Sequence, residues 1–393
     1  MHINEMIEER LFHEIHVSEI REFQKCHWAW SWKYVEKLYP YTSAEPLEFG
    51  TAMHAGMEAR YDPNHYAQTE VAEALAIVKF NETNQKQFET AKKRAGIFFD
   101  ESLIEQYENR RSLGIRMLEY YFTEISKQEH DFTPIAVEQN FIVPIPSPTR
   151  GAILCYCEQC DIRWNKWISD NDYDGPYRFV GLPVVLEGKI DLVLQYENGK
   201  VWVRDWKNIG RFSDSVEWLE NDLQLNLYLW ALWKLGADIG GFEYFESKKM
   251  APETPEPMKR RSSGRLYSVD KTKPYIYDTY LAEIESGDPV AHGQGLYDEY
   301  LTWLKVDGPQ FYRMTKVRKS QFAMEAMEEF LQAMALDIAQ FRAHTDRQYP
   351  SPTKFGCMYC EFRQPCIERM NGQPYDDMID ALFVKKEKHY YEE

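Results

Sequence analysis

The spacing of apolar residues changes character along the chain. Residues 85–126, "QKQFETAKKRAGIFFDESLIEQYENRRSLGIRMLEYYFTEIS", place them at intervals of three and four, which predicts one or two amphipathic helices. Just before, "SAEPLEFGTAMHAGMEARYD" predicts a turn and then a helix from near Gly50, with His54 and Glu58 one turn apart on one face. The period then shortens to two. "TPIAVEQNFIVPI" (133–145) alternates and is rich in Val, Ile and Phe, as a strand is. "GLPVVLEGKIDLVLQYENGKVWVRDWKN", from Gly181, predicts a hairpin whose strands flank the Asn-Gly turn of "ENGK".

Beyond the hairpin, "SVEWLENDLQLNLYLWALWKLG" predicts an apolar helix ending at Gly236, and "IGGFEYFES" a further strand. Residues 248–273, Pro-rich and basic, predict a long exposed loop. A helix around "GLYDEYLTWLKV", a short strand at "QFYRMTKVRK" and a long helix from Ser320 to His344 follow, and the tail "KKEKHYYEE" predicts fraying. No repeat at solenoid or propeller periods is present.

This order predicts an α/β fold: one core with helical additions at both ends and an insertion at about 146–180. The expected divisions are a helical region 1–130, a core 131–247, a basic loop with accessory elements 248–319, and a C-terminal helix with a cysteine cluster 320–393. With 44% hydrophobic and 15% aromatic residues in 393, the chain can build such a core. No apolar run reaches the roughly 18–20 residues of a membrane helix, and the polar start "MHINEMIEER" is unlike a secretory peptide. The expectation is a cytoplasmic protein of a bacterial cell or phage-infected host. A formal charge of −17 speaks against coating nucleic acid by bulk charge but leaves room for a local basic channel.

The hairpin carries the candidate chemistry. Asp205 and Lys207 are two apart on a strand, so they face one side while Trp206 faces the other. Asp191 lies on the partner strand. Both aspartates sit among Val, Leu and Ile, where unpaired charge is costly unless it serves a metal or a partner. Two such carboxylates suit Mg²⁺ or Mn²⁺, with the lysine beside the attacking water or the phosphate charge. Gln224 and Tyr228, one turn apart on the apolar helix, and His54 near a helix start complete the pattern.

Six of the seven cysteines fall into two clusters, which in a reducing compartment read as metal ligands rather than disulfides. "CMYCEFRQPC" gives Cys357, Cys360 and Cys366, with Cys26 standing alone near the end of an N-terminal helix. Four thiolates suit a [4Fe–4S] cluster or tetrahedral Zn²⁺ equally well by count. Cys155, Cys157 and Cys160, in the insertion, are either a second small metal site or free thiols.

Together, "LEFGTAMHAGMEARYD", "EGKIDLVL", "VRDWKN", "QLNLYLWAL" and the cysteines at both ends resemble the PD-(D/E)xK nuclease superfamily. The likeness is to its RecB-like branch with a four-cysteine iron–sulfur cluster, that is, the AddB-type and CRISPR-associated RecB-like exonucleases. The resemblance implies a restriction-endonuclease-like core, a mixed central sheet flanked by helices. It implies that His54, Asp191 and Asp205 bind the divalent metal, that Lys207 assists water attack on a phosphodiester, and that Gln224 and Tyr228 support the site and contact DNA. It assigns the [4Fe–4S] cluster to Cys26, Cys357, Cys360 and Cys366, and leaves "CYCEQC" unexplained. Asp in place of Glu in the D-x-K step is tolerated in the family.

The expected activity is DNA hydrolysis, as an exonuclease on single-stranded or end-exposed DNA, with recombination, repair or replication proteins as candidate partners and no membrane. Alternatives are a non-catalytic DNA-binding scaffold of the same fold, or a nuclease of CRISPR spacer acquisition. Lys259, Arg260, Arg261 and Arg265 in the basic loop, and Lys316 and Arg318 beyond it, are candidates for tracking the phosphate backbone. A solvated surface is the plainer use of the same charges. No phosphate loop of a fused motor is present.

Overall fold

The computed structural model describes residues 3–41, 45–96, 100–128, 131–146, 152–156, 162–166 and 182–385. The chain begins with α1 (Ile3–Glu8), β1 (His13–His16), α2 (Val17–Lys25), α3 (His27–Trp30) and β2 (Leu38–Pro40). Three long helices follow, α4 (Glu45–Tyr61), α5 (Thr69–Ala95) and α6 (Glu101–Tyr120). Next come β3 (Phe132–Pro144), β4 (Ala152–Tyr156), β5 (Ile162–Lys166), β6 (Leu182–Tyr196), β7 (Val201–Ile209), α7 (Leu223–Lys234) and β8 (Ile239–Lys248). An accessory module holds β9 (Pro257–Ser262), β10 (Arg265–Tyr267), α8 (Tyr277–Gly287), α9 (Pro289–Gly293) and α10 (Asp298–Asp307). The chain closes with β11 (Tyr312–Arg318), α11 (Gln321–Ala343), α12 (Lys354–Met358), α13 (Arg363–Met370), α14 (Asp376–Leu382) and β12 (Phe383–Lys385).

An eight-stranded mixed sheet runs β11-β8-β7-β6-β4-β5, with β1 and β3 also paired to β6. β6 and β7 are antiparallel, β7 and β8 parallel. Residues 192–195 of β6 pair with both β3 and β7, and residues 185–187 with both β3 and β1. So β1 and β7 share one edge of β6, and β3 takes the other. One face of the sheet packs on α2, α7 and α11 through Ile20, Leu227, Trp230 and Leu331; the other packs on α4, α5 and α6 through Met53, Phe80, Leu118 and Trp206. The sheet flanked by helices matches the predicted α/β class.

Several elements differ from the sequence expectation. The N-terminal region is not purely helical: "HEIH" adds the parallel strand β1 to β6. The predicted helix over 215–236 is broken, because Asp222 has an extended ψ of 118° and accepts from Leu225 N at 3.0 Å, which starts α7 there. Such a cap stabilises a helix by about 1 kcal/mol. The predicted loop at 248–273 holds the hairpin β9–β10, whose turn residues Ser263 and Gly264 both have positive φ, 49° and 81°. The module's own core is built from Tyr267, Tyr280, Tyr297 and Leu304, and α8 and α9 were hidden by their short apolar runs. Among the described residues no helix is long and apolar enough to cross a membrane.

Candidate active site

The site lies where β6 and β7 part. Four residue pairs join the two strands, from Gln195–Val201 to Leu192–Arg204, and the ladder stops there. Asp191 and Asp205 are the next residues on either side. The N–H of Trp206 donates instead to Asp191 Oδ2 at 3.2 Å. Along β7, Val201 and Val203 pack on the α7 side and Trp202 and Trp206 on the α4 side. By that alternation Asp205 and Lys207 face α7.

α4 brings His54 to the fork. Its Nε2 lies 2.9 Å from the carbonyl of Trp206, which can only accept, so Nε2 carries the proton. In the neutral ring Nδ1 then keeps its lone pair, and in the imidazolium it carries a second proton; it lies 3.4 Å from Asp191 Oδ2. The neutral ring is the tautomer a metal-ligating imidazole requires.

A further carboxylate is present that the sequence reading did not single out. Glu138 of β3 places an oxygen within 4.8 Å of ligand atoms of both His54 and Asp191. Its backbone has φ 46°, in the left-handed region that a non-glycine residue enters at a cost of order 1–3 kcal/mol. On both strands the side-chain alternation slips here. Val137 and Leu192 belong to the α4-side core, while Phe141 and Ile190 belong to the opposite core. The slip turns Glu138 and Asp191 towards each other, and Glu138 also pairs with Lys189.

Asp205 is nearly inaccessible, with 2% of its side chain exposed. Its Oδ1 accepts from Lys207 Nζ at 2.9 Å and from Gln224 Nε2 at 3.1 Å. Gln224 also donates to the hydroxyl of Tyr228 at 3.0 Å. Oδ2 is 2.8 Å from Lys207 Nζ, yet it receives no hydrogen bond of acceptable angle. The Lys207 ammonium offsets its charge, but the oxygen keeps lone pairs that no donor uses and that a divalent cation could take up.

Burial, followed by the negative charges of Asp205 and Glu138, pushes the carboxyl of Asp191 up to about 6, against the partial relief of His54 and Lys207. Burial works against the charge of Lys207, but Asp205 and Asp191 outweigh it and hold the ammonium above its usual range. The cluster of His54, Glu138 and Asp191, with Asp205 on the strand beside Asp191, has the donor chemistry of a hard divalent cation such as Mg²⁺ or Mn²⁺. Asp205 Oδ2 is the oxygen whose surroundings ask for one.

The four predicted cluster cysteines converge although Cys26 is far from the others in sequence. Cys26, Cys357, Cys360 and Cys366 line one cavity of about 280 Å³ with Trp28, Trp32 and Phe362, and none is in a disulfide. Burial first, and then the neighbouring cysteines, raise the thiol of Cys366 to about 11. Cys155 lies on β4, opposite Pro183 and Arg163; Cys157 and Cys160 fall outside the described residues.

The basic candidates are divided. Arg261 is held by Asp288 at 2.8 Å, Lys316 by Glu243 at 2.9 Å, and Arg265 donates to the carbonyl of Leu296 at 3.3 Å. Lys259, Arg260 and Arg318 are exposed. Trp30 and Trp32 are core residues, 0% and 2% exposed.

A search of curated proteins returns no match. The family profile of the PD-(D/E)XK nuclease superfamily covers residues 14–367, from within β1 to one residue past Cys366. On that extent, and with the fork of β6 and β7 carrying the D-x-K step, the chain belongs to the PD-(D/E)XK nuclease superfamily.

Proposed function

We propose that this chain is a Mg²⁺- or Mn²⁺-dependent deoxyribonuclease that hydrolyses phosphodiesters exonucleolytically, on single-stranded or end-exposed DNA. Two observations support the reading: the ligand atoms of His54, Glu138 and Asp191 lie within 4.8 Å of one another, and Asp205, on the strand beside Asp191, keeps a buried Oδ2 without a hydrogen bond next to the Lys207 ammonium. Those four acidic and imidazole side chains would hold the cation. When bound it would act as a Lewis acid and lower the pKa of a coordinated water. Lys207 stays charged and is placed to orient that water or offset charge developing on the phosphate. Gln224 and Tyr228 hold Asp205 in place.

The exonuclease mode and a role in recombination, repair or replication rest on the likeness to the RecB-like branch. So does a [4Fe–4S] cluster on Cys26, Cys357, Cys360 and Cys366. Tetrahedral Zn²⁺ on the same four thiolates is the alternative. The clip would close a loop from residue 26 to 366 and act chiefly on stability.

The test is digestion of 5′- and 3′-labelled single- and double-stranded DNA with Mn²⁺. Stepwise shortening from one end, abolished in Lys207→Ala, is the expected result. Internal cutting of closed circular DNA would exclude the exonuclease mode, and no cutting at all would sink the nuclease reading. A brown protein after anaerobic purification supports the cluster; a colourless one with stoichiometric zinc refutes it.

A further inference from the structure

We propose that Arg21 is a positioning residue for the metal-binding carboxylate of Asp205, acting through Gln224. This rests on the metal site described above.

The geometry forms a chain of three links. Arg21, on α2, donates from Nη1 to Gln224 Oε1 at 3.0 Å and from Nη2 to Asp222 Oδ2 at 2.8 Å. Gln224 then has only its amide nitrogen to offer, and that nitrogen reaches Asp205 Oδ1 at 3.1 Å. An amide has two faces that differ in chemistry and little in shape. With Oε1 turned to Asp205, two acceptors would meet and the carboxylate would be repelled. Arg21 removes that choice, because a guanidinium can only donate. The second link fixes the frame. Asp222 caps α7 through Oδ1 while Oδ2 takes the other arm of Arg21, so one guanidinium holds both the first turn of α7 and the side chain two residues into it.

The consequence falls on Oδ2 of Asp205. Oδ1 accepts hydrogen bonds from Lys207 and Gln224, while Oδ2, though 2.8 Å from the Lys207 ammonium, accepts none and is the oxygen presented for a cation. Without Arg21 nothing holds Oε1, the amide is kept only by Asp205 and Tyr228, and the donor that helps set the carboxylate's rotation is less firmly placed. Partners of this kind, one bond removed from the metal, typically change its affinity 10–100-fold. An ordinary ion pair at a surface, by contrast, contributes little, and Arg21 keeps 43% of its side chain exposed. The proposal therefore predicts an effect on metal binding out of proportion to any effect on stability.

The measurement is Mn²⁺ binding to the full-length protein by titration calorimetry, beside thermal melting. Arg21→Ala is expected to weaken Mn²⁺ binding about tenfold with a melting temperature close to the parent's. Arg21→Lys, which keeps a pure donor within reach of Oε1, is expected to recover most of it. Gln224→Ala alone should weaken binding as much as the double variant Arg21→Ala/Gln224→Ala does, because the two residues act in series. Arg21→Gln carries the same test should the alanine variant fold poorly, since a glutamine can present an acceptor where the guanidinium cannot.

Parent-like Mn²⁺ affinity in Arg21→Ala and Arg21→Gln overturns the proposal. So does full additivity of the Arg21 and Gln224 effects. A parent that binds Mn²⁺ but cuts no DNA defeats the nuclease assignment and leaves the role of Arg21 to be judged by the same titrations.

Discussion

Two groups of side chains in this molecule have the geometry of a metal site, and both draw on β6. Glu14, His16 and Glu187 form one; His54, Glu138 and Asp191 form the other. In the first, Arg10 reaches Glu187 Oε1 at 3.0 Å and Oε2 at 3.3 Å, and His16 Nδ1 is spent on the carbonyl of Glu187 at 3.2 Å. Its charges are answered from within the protein. In the second, Asp191 is driven up to about 6 by burial and like charge, and neighbouring Asp205 keeps an oxygen without a hydrogen bond. Ligand-like spacing alone is therefore not the mark of a site; a carboxyl pushed up by burial, beside a buried carboxylate oxygen without a hydrogen bond, sets the second group apart.

The comparison can be broken in four ways, the largest effect first. Asp191→Asn should reduce DNA cleavage by about 10³-fold or more, since it removes a carboxylate from the charge that holds the cation. Glu187→Gln, at the other group, should leave cleavage within about twofold and show its effect in thermal melting. Cleavage assays on both variants check this; equal losses would mean the two groups do not differ in kind.

Next in size is stabilisation by metal. Mn²⁺ at about 100 times its dissociation constant should add about 2.7 kcal/mol to the parent and to Glu187→Gln. Asp191→Asn should gain much less. Thermal melting with and without Mn²⁺ reads the difference.

The pH dependence follows from Asp191. Its proton must leave before a cation binds, so Mn²⁺ affinity should fall roughly tenfold for each pH unit below about 6 and level off above it. In the metal-free protein, folded Asp191 holds its proton more tightly than the unfolded chain does. Its contribution to stability is therefore fully present below the ordinary value of 3.8 and is lost as pH rises through about 6. Calorimetric titrations across pH 5 to 8 check the first, and melting curves the second; Asp191→Asn should flatten both.

The smallest effect is at Glu138. Glu138→Gly relieves a left-handed backbone and should change stability by no more than about 1 kcal/mol, while weakening Mn²⁺ binding. A glycine variant that melts near the parent and binds Mn²⁺ as well would remove Glu138 from the site.

Much of this site could be read from residues alone, and the reasons for the rest are physical. Asp205 and Lys207 were legible because strand alternation fixes which side chains share a face, and Asp191 because the Asn-Gly turn pairs its strand with theirs. Glu138 was not. In "IAVEQNF" it looks like one of three polar residues on a strand's outer side, and only pairing with a strand fifty residues on, with a slip in the alternation, brings it to Asp191. Strand β1 was hidden for the same reason, as "HEIH" finds its partner at residues 184–187. Arg21 belongs to this class too, since its meaning depends on contact between α2 and the start of α7. The basic candidates differ again: Asp288 holds Arg261 in the loop and Glu243 holds Lys316 beyond it, pairings that sequence spacing does not show.

The central claim is that Asp205 offers its unsatisfied oxygen to a catalytic cation, and Asp205→Asn tests it most directly. The asparagine keeps the shape and can still accept at one position from Lys207 and Gln224, but it no longer carries the charge. Measured on end-labelled single-stranded DNA with Mn²⁺, the variant should be folded as the parent is and fail to cut. Cleavage at the parent's rate would contradict the account.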